Sequence, residues 1–286
     1  MENTQQKPDT RHYVKGPEGT ELHTVDIWTS SAASTAKEGK VWVIFIHGGA
    51  WRDPEVDSKA FRPAISVLES SKSMSAIAGF ASINYRLSPY PTNARNPSKP
   101  GDLSRNVHHP EHLLDVGHAL QYLDEHYGIA NNYVLVGHSA GAALAFQLHQ
   151  SYFPEPLPHP SCVLGIAGIY DFEAFVEAHK EISACQEIME NAFPARSTWE
   201  QASPNKSQLP GLALWEQAKT VVISYSNQDE LVENGQASLM LERASTISKA
   251  AERVHELKTS GKHDEIWQGG SILAALIEQS LGWLRS

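Results

Sequence analysis

The chain has 286 residues, of which 33 are acidic and 23 basic, so its formal net charge is −10. This acidic balance argues against binding to nucleic acids or to anionic membranes, because both require basic surfaces. The two cysteines cannot build a disulfide framework, and no apolar run approaches the length of a membrane span. The length and the 41% of hydrophobic residues are typical of one globular α/β domain.

The N-terminal segment, residues 1–20, is polar, and its first seven residues lack the apolar stretch of a secretory signal peptide. Together with the small number of cysteines, this predicts a protein of the reducing cytoplasm. A single domain is expected over residues 21–286. Its first elements, in chain order, are an edge strand near Glu21–Trp28, a turn over Ser30–Lys40, a buried strand at Val41–Ile46, a helix near Ser58–Ser70 and a strand at Phe80–Tyr85.

A long polar loop, residues 86–109, comes next, and loops of this length are either functional or disordered. Pro110 begins a helix, since proline fits the first helical turn. Strands alternating with helices predict a mostly parallel central sheet flanked by helices. Residues 171–215, helical in pattern, are expected to form a small helical cap over the carboxyl edge of the sheet, where ligands bind in such folds. The remaining strands are expected at Tyr133–Val136, Cys162–Ala167, Thr220–Tyr225 and Arg253–Lys258.

The five residues from Gly137 to Gly141, Gly-His-Ser-Ala-Gly, match the G-x-S-x-G nucleophile elbow. A buried strand leads into them and a run of small, helix-compatible residues leads out, which is the context that this motif requires. The two glycines are needed because the turn is strained and nothing bulky fits beside the serine. The motif predicts Ser139 as a nucleophile. The alternative is a tight turn whose serine only caps the next helix.

A second motif, His47-Gly48-Gly49, directly follows the buried strand Val41–Ile46. In serine hydrolases with a nucleophile elbow, a loop of this type supplies backbone N–H groups to the oxyanion hole. Glycine lets the backbone approach the substrate oxygen closely. We therefore expect the amides of Gly48, Gly49 and Ala140 to hold the oxyanion. An ordinary loop is the alternative, but the presence of a second strand that ends in G-x-S-x-G favours the oxyanion site.

A nucleophilic serine needs a base and an acid that orients the base. In elbow-containing folds the acid and then the histidine follow the serine along the chain. Asp229 lies in a loop after a buried strand, where the acid is expected, and its neighbour Glu230 and the earlier Asp171 are alternatives. Asp171 is the weaker one, since its position also suits a helix cap. His263 lies in the loop between the last strand and the final helix, so the sequence predicts a triad of Ser139, Asp229 and His263.

Histidines and acids cluster where the helix after the long loop begins: His108, His109, Glu111, His112 and Asp115. His112 and Asp115 are three residues apart on one helix face, a spacing that would suit a metal ion. A helix N-terminus enriched in acidic and polar side chains is the favoured interpretation. Neither a metal ion nor an organic cofactor is therefore expected.

Three motifs together, His47–Gly49, Asn84–Pro89 and Gly137–Gly141, resemble the hormone-sensitive-lipase-like branch of the α/β-hydrolases. More narrowly, the run His-Gly-Gly-Ala-Trp at residues 47–51, with Asp-Pro-Glu just after it, is similar to the HGGxW loop of the fungal kynurenine formamidases (arylformamidases). The resemblance covers nearly the whole chain after residue 20. The long loop departs from it and is expected to shape the substrate entrance.

The resemblance implies an α/β-hydrolase fold and the hydrolysis of a small molecule, N-formyl-L-kynurenine, to L-kynurenine and formate in tryptophan catabolism. It assigns the nucleophile to Ser139, the acid to Asp229 and the base to His263, acting through a formyl-enzyme intermediate. A monomer or a homodimer is expected. One alternative is a general carboxylesterase of the same branch that acts on small acyl esters. A non-enzymatic binding protein is less favoured, because all three triad members are present.

The acyl side of the pocket is expected to be tight, because formyl is the smallest acyl group. Trp51, beside the oxyanion loop, is either a wall of this pocket or a hydrophobic plug under the loop. His47 and His138, which belong to the two glycine motifs, are further tentative pocket residues.

Overall fold

The computed structural model describes residues 7–29, 39–247 and 251–285. The strands within these ranges are Asp9–His12 (β1), Thr24–Thr29 (β2), Val41–Ile46 (β3), Ile77–Ile83 (β4), Tyr133–His138 (β5), Cys162–Ile166 (β6), Thr220–Ser226 (β7) and Val254–Thr259 (β8). They form one sheet in the order β1-β2-β4-β3-β5-β6-β7-β8. β2 is antiparallel to both of its neighbours, whereas the other pairs are parallel. The predicted mostly parallel sheet is confirmed.

The α-helices in the same ranges are Arg62–Glu69 (α1), Glu111–Tyr127 (α2), Ala140–Gln147 (α3), Phe172–Ala178 (α4), Ser183–Ala192 (α5), Trp199–Ala202 (α6), Leu214–Gln217 (α7), Asn234–Ile247 (α8), Glu265–Gln268 (α9) and Ser271–Trp283 (α10). Strands and helices therefore alternate from β3 onwards, as a parallel sheet with crossover connections requires. None of the helices in the described part of the chain combines the length and hydrophobicity that a membrane crossing requires.

Helices cover both faces of the sheet, so its central strands are buried on both sides. In β3, Trp42, Ile44 and Ile46 belong to one core cluster and Val43 and Phe45 to the other. They separate because successive side chains of a strand point to opposite faces. α2 and α3 pack on the first face, and α1 and α10 pack on the second. The continuous hydrophobic run of β3 is the pattern of a strand covered on both faces.

The N-terminal segment contains a strand that the sequence does not predict. All four residues of β1 are exposed, and the strand pairs with the edge of β2. Its polar residues show no hydrophobic alternation, which is the signal on which strand prediction depends. The strand expected near Glu21–Trp28 is present as β2, but the expectation that it lies at the edge of the sheet is wrong, because β1 pairs with its outer side. Most of the turn expected over Ser30–Lys40 lies outside the described residues, as do the first six residues of the polar N-terminus.

The long loop of residues 86–109 contains no helix or strand, but backbone hydrogen bonds hold it in place. The amide of Leu87 donates to the carbonyl of Ser104 over 2.7 Å. At the end of the loop the amide of His109 donates over 2.7 Å to the carbonyl of Ala192, the last residue of α5. The loop is therefore fixed against the helices that follow β6.

Between β6 and β7 the chain forms α4, α5, α6 and α7, so the segment expected to be a cap, residues 171–215, is mainly helical. Phe175 of α4 and Cys185 and Ile188 of α5 line a cavity at the carboxyl ends of the strands. That these helices act together as one cap stays a prediction.

Candidate active site

Ser139 lies at the sharp turn between β5 and α3. Its φ is +55°, in the left-handed region that non-glycine residues seldom adopt. The turn is held from both sides, because the Ser139 amide donates to the carbonyl of Ile166 over 2.9 Å and its carbonyl accepts from Ala142 over 2.9 Å. Strain at a position fixed this firmly is typical of a nucleophile elbow.

The two glycines of the elbow lie where a side chain would collide with the backbone. A Cβ atom at Gly137 would lie 2.3 Å from the carbonyl oxygen of Gly141. A Cβ atom at Gly141 would lie 2.2 Å from the carbonyl oxygen of Ile46, at the end of β3. The prediction that nothing bulky fits beside the serine is confirmed.

Asp229 and His263 meet although they come from different loops. Asp229 follows β7 and His263 follows β8, and these parallel neighbours end at the same edge of the sheet. Asp229 Oδ2 lies 2.8 Å from His263 Nδ1, and the two side chains are only 1% and 6% exposed. The other carboxylate oxygen, Oδ1, accepts the amides of Leu231 and Val232, both over 2.9 Å. A carboxylate held in this way fixes the ring with Nδ1 protonated, which leaves Nε2 free to accept a proton.

The two alternative acids do not contact the imidazole of His263. Glu230 accepts the backbone amide of His263 through Oε2 over 3.2 Å. Asp171 caps α4 by accepting the amide of Ala174 over 3.0 Å, and it also pairs with Lys206 over 2.9 Å. Glu230 therefore holds the histidine loop, and Asp171 is the helix cap that the sequence favours.

Ser139 and His263 line the same cavity, whose volume is about 240 Å³. The Ser139 side chain makes no hydrogen bond with any described residue, and hydrogen bonds of this kind often tighten only when substrate binds. Most of the remaining wall is apolar, with Val56, Ile169, Phe175, Ile188, Val232 and Trp267 among its side chains. A serine and a carboxylate-bound histidine thus face one apolar space, which suits proton transfer shielded from water.

Of the three residues whose amides are expected to hold an oxyanion, Gly48 and Ala140 lie next to the serine and Gly49 lines the same cavity. A Cβ atom at Gly48 would lie 3.0 Å from Ser139 Cβ, so only glycine allows this close approach. Gly49 has a φ of +88°, which favours glycine for a different reason. Ala140 is the first residue of α3, where an amide has no partner within the helix. The amides of Gly48 and Gly49 also donate to no acceptor among the described residues. That these three N–H groups hold an oxyanion stays a prediction.

Tyr85 contacts the backbone of the His-Gly-Gly loop and supports it, a role that the sequence did not predict. Its buried hydroxyl lies 3.1 Å from the carbonyl oxygen of His47 and 3.0 Å from that of Gly48. The His47 ring stacks on the Tyr85 ring at 4.4 Å, and its Nδ1 lies 3.0 Å from the same Gly48 oxygen. Burial lowers the pKa of His47 to about 4, so the ring is neutral and donates from Nδ1. The predicted strand Phe80–Tyr85 and the Asn84–Pro89 motif both include Tyr85, but neither predicts these contacts.

Only one of the three tentative pocket residues lines the cavity. Trp51 is fully buried, with its ring 5.2 Å from that of Phe193 and 5.9 Å from that of Phe172. This matches the plug interpretation, because a large apolar ring gains most from complete burial. His47 is also buried, so neither His47 nor Trp51 lines the cavity beside Ser139. His138 does line the cavity.

His138 contacts His263 directly. The two rings are 4.6 Å apart, and His138 Nε2 lies 3.2 Å from the backbone carbonyl oxygen of His263. Burial, with a contribution from the neighbouring His263, lowers the pKa of His138 well below its ordinary value. His138 is therefore a neutral ring that can support the histidine loop.

The histidines and acids at the start of α2 form a structural network. Asp115 accepts from Arg86 at Nε and Nη2 over 2.9 and 2.7 Å and lies 3.1 Å from His23 Nε2. Burial raises the pKa of Asp115, but these hydrogen bonds more than compensate, so that the pKa is lowered. His112 Nε2 lies 2.9 Å from Ser88 Oγ, so this histidine and Asp115 have separate partners. Among the described residues, no three His, Cys, Asp or Glu side chains are grouped so that they could hold a metal ion.

The strand order and the elbow define the chain as an α/β-hydrolase. Its fold matches that of carboxyl esterase 2 from the mycorrhizal fungus Tuber melanosporum, with a TM-score of 0.69 and 14% sequence identity over 99% of this chain and 89% of that one. The BD-FAE family model matches residues 25–244.

Two relatives are similar over nearly their whole length. The kynurenine formamidase-like hydrolase fscH from Fusarium equiseti is 35% identical over 96% of this chain and 94% of its own. The kynurenine formamidase avaC from Aspergillus versicolor is 32% identical over 93% of this chain and 98% of its own. The chain belongs to the kynurenine formamidase family of hydrolases, which confirms the resemblance seen in the sequence.

Proposed function

We propose that this hydrolase converts N-formyl-L-kynurenine and water into L-kynurenine and formate. The observation that carries the proposal is the contact of 2.8 Å between Asp229 and His263 beside the cavity that Ser139 also lines. The names of the two relatives supply the substrate class. In this proposal Ser139 is the nucleophile, His263 the general base and acid, and Asp229 the group that orients the imidazole.

The reaction begins when His263 Nε2 takes the proton of the Ser139 hydroxyl as its oxygen attacks the formyl carbon. The amides of Gly48, Gly49 and Ala140 stabilise the negative charge on the formyl oxygen. The tetrahedral intermediate then collapses, the C–N bond breaks, and His263 gives its proton to the departing aniline nitrogen. L-kynurenine leaves, and the formyl group stays on Ser139 as an ester.

Water completes the cycle. His263 takes a proton from the water molecule as it attacks the formyl ester, and the same three amides stabilise the second oxyanion. Collapse of this intermediate releases formic acid, which ionises to formate, and His263 returns its proton to the Ser139 oxygen. Every proton moves between the substrate, water, Ser139 and His263, so the mechanism needs no metal ion and no organic cofactor.

The apolar side chains of the cavity suit an aromatic substrate. Phe175, Ile188 and Val232 offer surface to the ring of a formylated aniline, and its burial would add binding free energy. The loop of residues 86–109 contributes Tyr90 to the same wall. We propose on this basis that the loop helps to shape the substrate entrance.

The test compares N-formyl-L-kynurenine with p-nitrophenyl acetate, using the wild type, Ser139→Ala and the control Ser82→Ala. Ser82 is fully buried, and its hydroxyl has no hydrogen-bond partner among the described residues, so its loss should be harmless. We expect the wild type and Ser82→Ala to hydrolyse the formamide much faster than the ester. Ser139→Ala should have lost this activity. Activity on the ester alone would instead indicate a general carboxylesterase. Equal activity of Ser139→Ala and wild type would overturn the role of Ser139.

We also propose that the protein functions in the cytoplasm as a monomer or homodimer. Cys162 and Cys185 are both free thiols, a state that reducing compartments maintain. Cell fractionation and size-exclusion chromatography with light scattering test this proposal. A secreted protein or a larger assembly would contradict it.

A further inference from the structure

Arg52 is the only lysine or arginine among the described residues that line the cavity beside Ser139. It follows the His-Gly-Gly loop, and only 5% of its surface is exposed. Its guanidinium carbon lies 4.0 Å from the centre of the Tyr90 ring, and Nη1 donates to Glu187 Oε1 over 2.9 Å. A buried cation on the wall of a largely apolar cavity is costly unless it has partners.

The contacts of Arg52 leave part of its guanidinium unused. A guanidinium has five N–H donors in a planar fork, and only Nη1 makes a hydrogen bond with a described residue. Tyr90 fixes the plane of the fork from one face, and Glu187 fixes one of its nitrogens. Nε and Nη2 keep their donors, and two neighbouring donors of this kind match the two oxygens of a carboxylate.

The acids of the cavity wall have partners of their own. Asp53 accepts the amide of Glu55 over 2.9 Å, and Asp264 lies 3.1 Å from Trp267 Nε1. An anionic group that enters the cavity of a chain with a net charge of −10 therefore finds its strongest attraction at Arg52, because charge-assisted hydrogen bonds exceed neutral ones.

We propose that Arg52 binds the α-carboxylate of the amino-acid substrate while Tyr90 and Glu187 hold its guanidinium in place. The inference rests on the proposed function, and it makes the Arg52 side chain the group that distinguishes an amino acid from a simple formylated aniline. A purely structural role is the competing explanation, since the Arg52–Glu187 pair also connects the loop after β3 to α5. The two explanations differ in whether the effect of Arg52 depends on a carboxylate in the ligand.

Calorimetric binding of L-kynurenine and of kynuramine, which lacks only the carboxylate, separates these explanations. We expect the wild type to bind L-kynurenine more tightly than kynuramine. Arg52→Met should raise the Kd of L-kynurenine about ten- to a hundredfold, the range of one or two charge-assisted hydrogen bonds. The Kd of kynuramine should change little, so the ratio of the kynuramine Kd to the L-kynurenine Kd should fall. If Arg52→Met weakens the binding of both ligands equally, this ratio stays unchanged and the proposal is overturned.

Two further variants guard against misfolding. Arg52→Lys keeps the charge but loses the fork, so it should lower the ratio less than Arg52→Met does. Arg243→Met removes a partly buried arginine that donates to the carbonyl of Ser207 and lines a different cavity, and it should leave the ratio unchanged. Binding needs no turnover, so failure of this proposal and failure of the proposed function can be told apart. If the wild type binds both ligands but releases no formate from N-formyl-L-kynurenine, only the proposed function fails.

Discussion

Asp229 Oδ2 lies 2.8 Å from His263 Nδ1, although the two residues are 34 positions apart in the chain. The parallel register of β7 and β8 brings their loops together at one edge of the sheet. The second oxygen of the carboxylate is engaged by the amides of Leu231 and Val232, so the carboxylate cannot rotate away from the ring without losing both hydrogen bonds. This arrangement fixes the tautomer that the mechanism needs.

Replacement of Asp229 by asparagine tests this arrangement. The side-chain oxygen of the asparagine in Asp229→Asn can still accept either the amides of Leu231 and Val232 or the N–H of the His263 ring, so the protein should still fold. The ring, however, loses the carboxylate that stabilises its protonated form, and kcat should fall by about 10³ to 10⁴. Steady-state formamide hydrolysis and circular dichroism measure the two properties.

The matched control for Asp229→Asn is Glu230→Gln. The glutamine oxygen can still accept the backbone amide of His263, which is the observed contact of Glu230. We expect kcat to change by less than about tenfold, the range of one weakened hydrogen bond. Similar losses of kcat in the two variants would show that Asp229 only holds the loop that carries His263.

Tyr85→Phe should lower kcat more than it raises KM. The hydroxyl that it removes holds the carbonyls of His47 and Gly48, so the Gly48 and Gly49 amides would lose part of their preorganisation. Loss of a direct oxyanion donor costs about 10²- to 10³-fold, and we expect about tenfold for this indirect effect. Tyr133→Phe is the control, because it removes a buried hydroxyl bonded to the carbonyl of Pro158. Equal kinetics of the two variants would contradict the supporting role of Tyr85.

Stability should fall as the pH falls below about 6.5, the ordinary pKa of histidine. Burial lowers the pKa of His47 and His109 to about 4, that of His112 to about 3, and that of His138 well below 6.5. Between the folded and unfolded pKa values the unfolded chain binds protons that the folded chain excludes, so the free energy of unfolding rises with pH. Each histidine contributes about 1.4 kcal/mol per pH unit in that range. Asp115 has a lowered pKa, so its contribution is lost only at more acidic pH, below the ordinary pKa of an aspartate.

Urea denaturation at several pH values measures this slope. His112→Gln should reduce it by about one proton, or 1.4 kcal/mol per pH unit. Leu120→Ala, on the same helix, should lower the free energy of unfolding by about 2 to 5 kcal/mol at every pH without changing the slope. A slope unaffected by His112→Gln would show that this imidazole does not exclude protons in the folded state.

Local motifs made the elbow and the His-Gly-Gly loop predictable from sequence. In both, glycine is required at positions where a Cβ atom would strike the backbone or Ser139, and such requirements leave a short pattern in the chain. The order of strands also placed Asp229 and His263 in the correct loops, since parallel strands deliver their following loops to one edge.

Contacts between distant segments were not predictable in the same way. Tyr85 and Arg52 owe their roles to partners in other loops and helices, and no spacing in the sequence reports those partners. The burial of Trp51 depends on Phe172 and Phe193, which approach it only in the folded chain. β1 was missed because its residues are polar and exposed, and only the pairing with β2 makes it a strand.

The most direct test of the proposed mechanism is formate release from N-formyl-L-kynurenine by the wild type, Ser139→Ala, His263→Gln and the double variant. Residues that act as one unit are not additive, so each single variant should lose at least about 10³ in kcat/KM, and the double variant should lose no more than the worse single one. Retention of most activity by Ser139→Ala would contradict this mechanism. A double variant whose loss of kcat/KM equals the product of the two single losses would contradict it too.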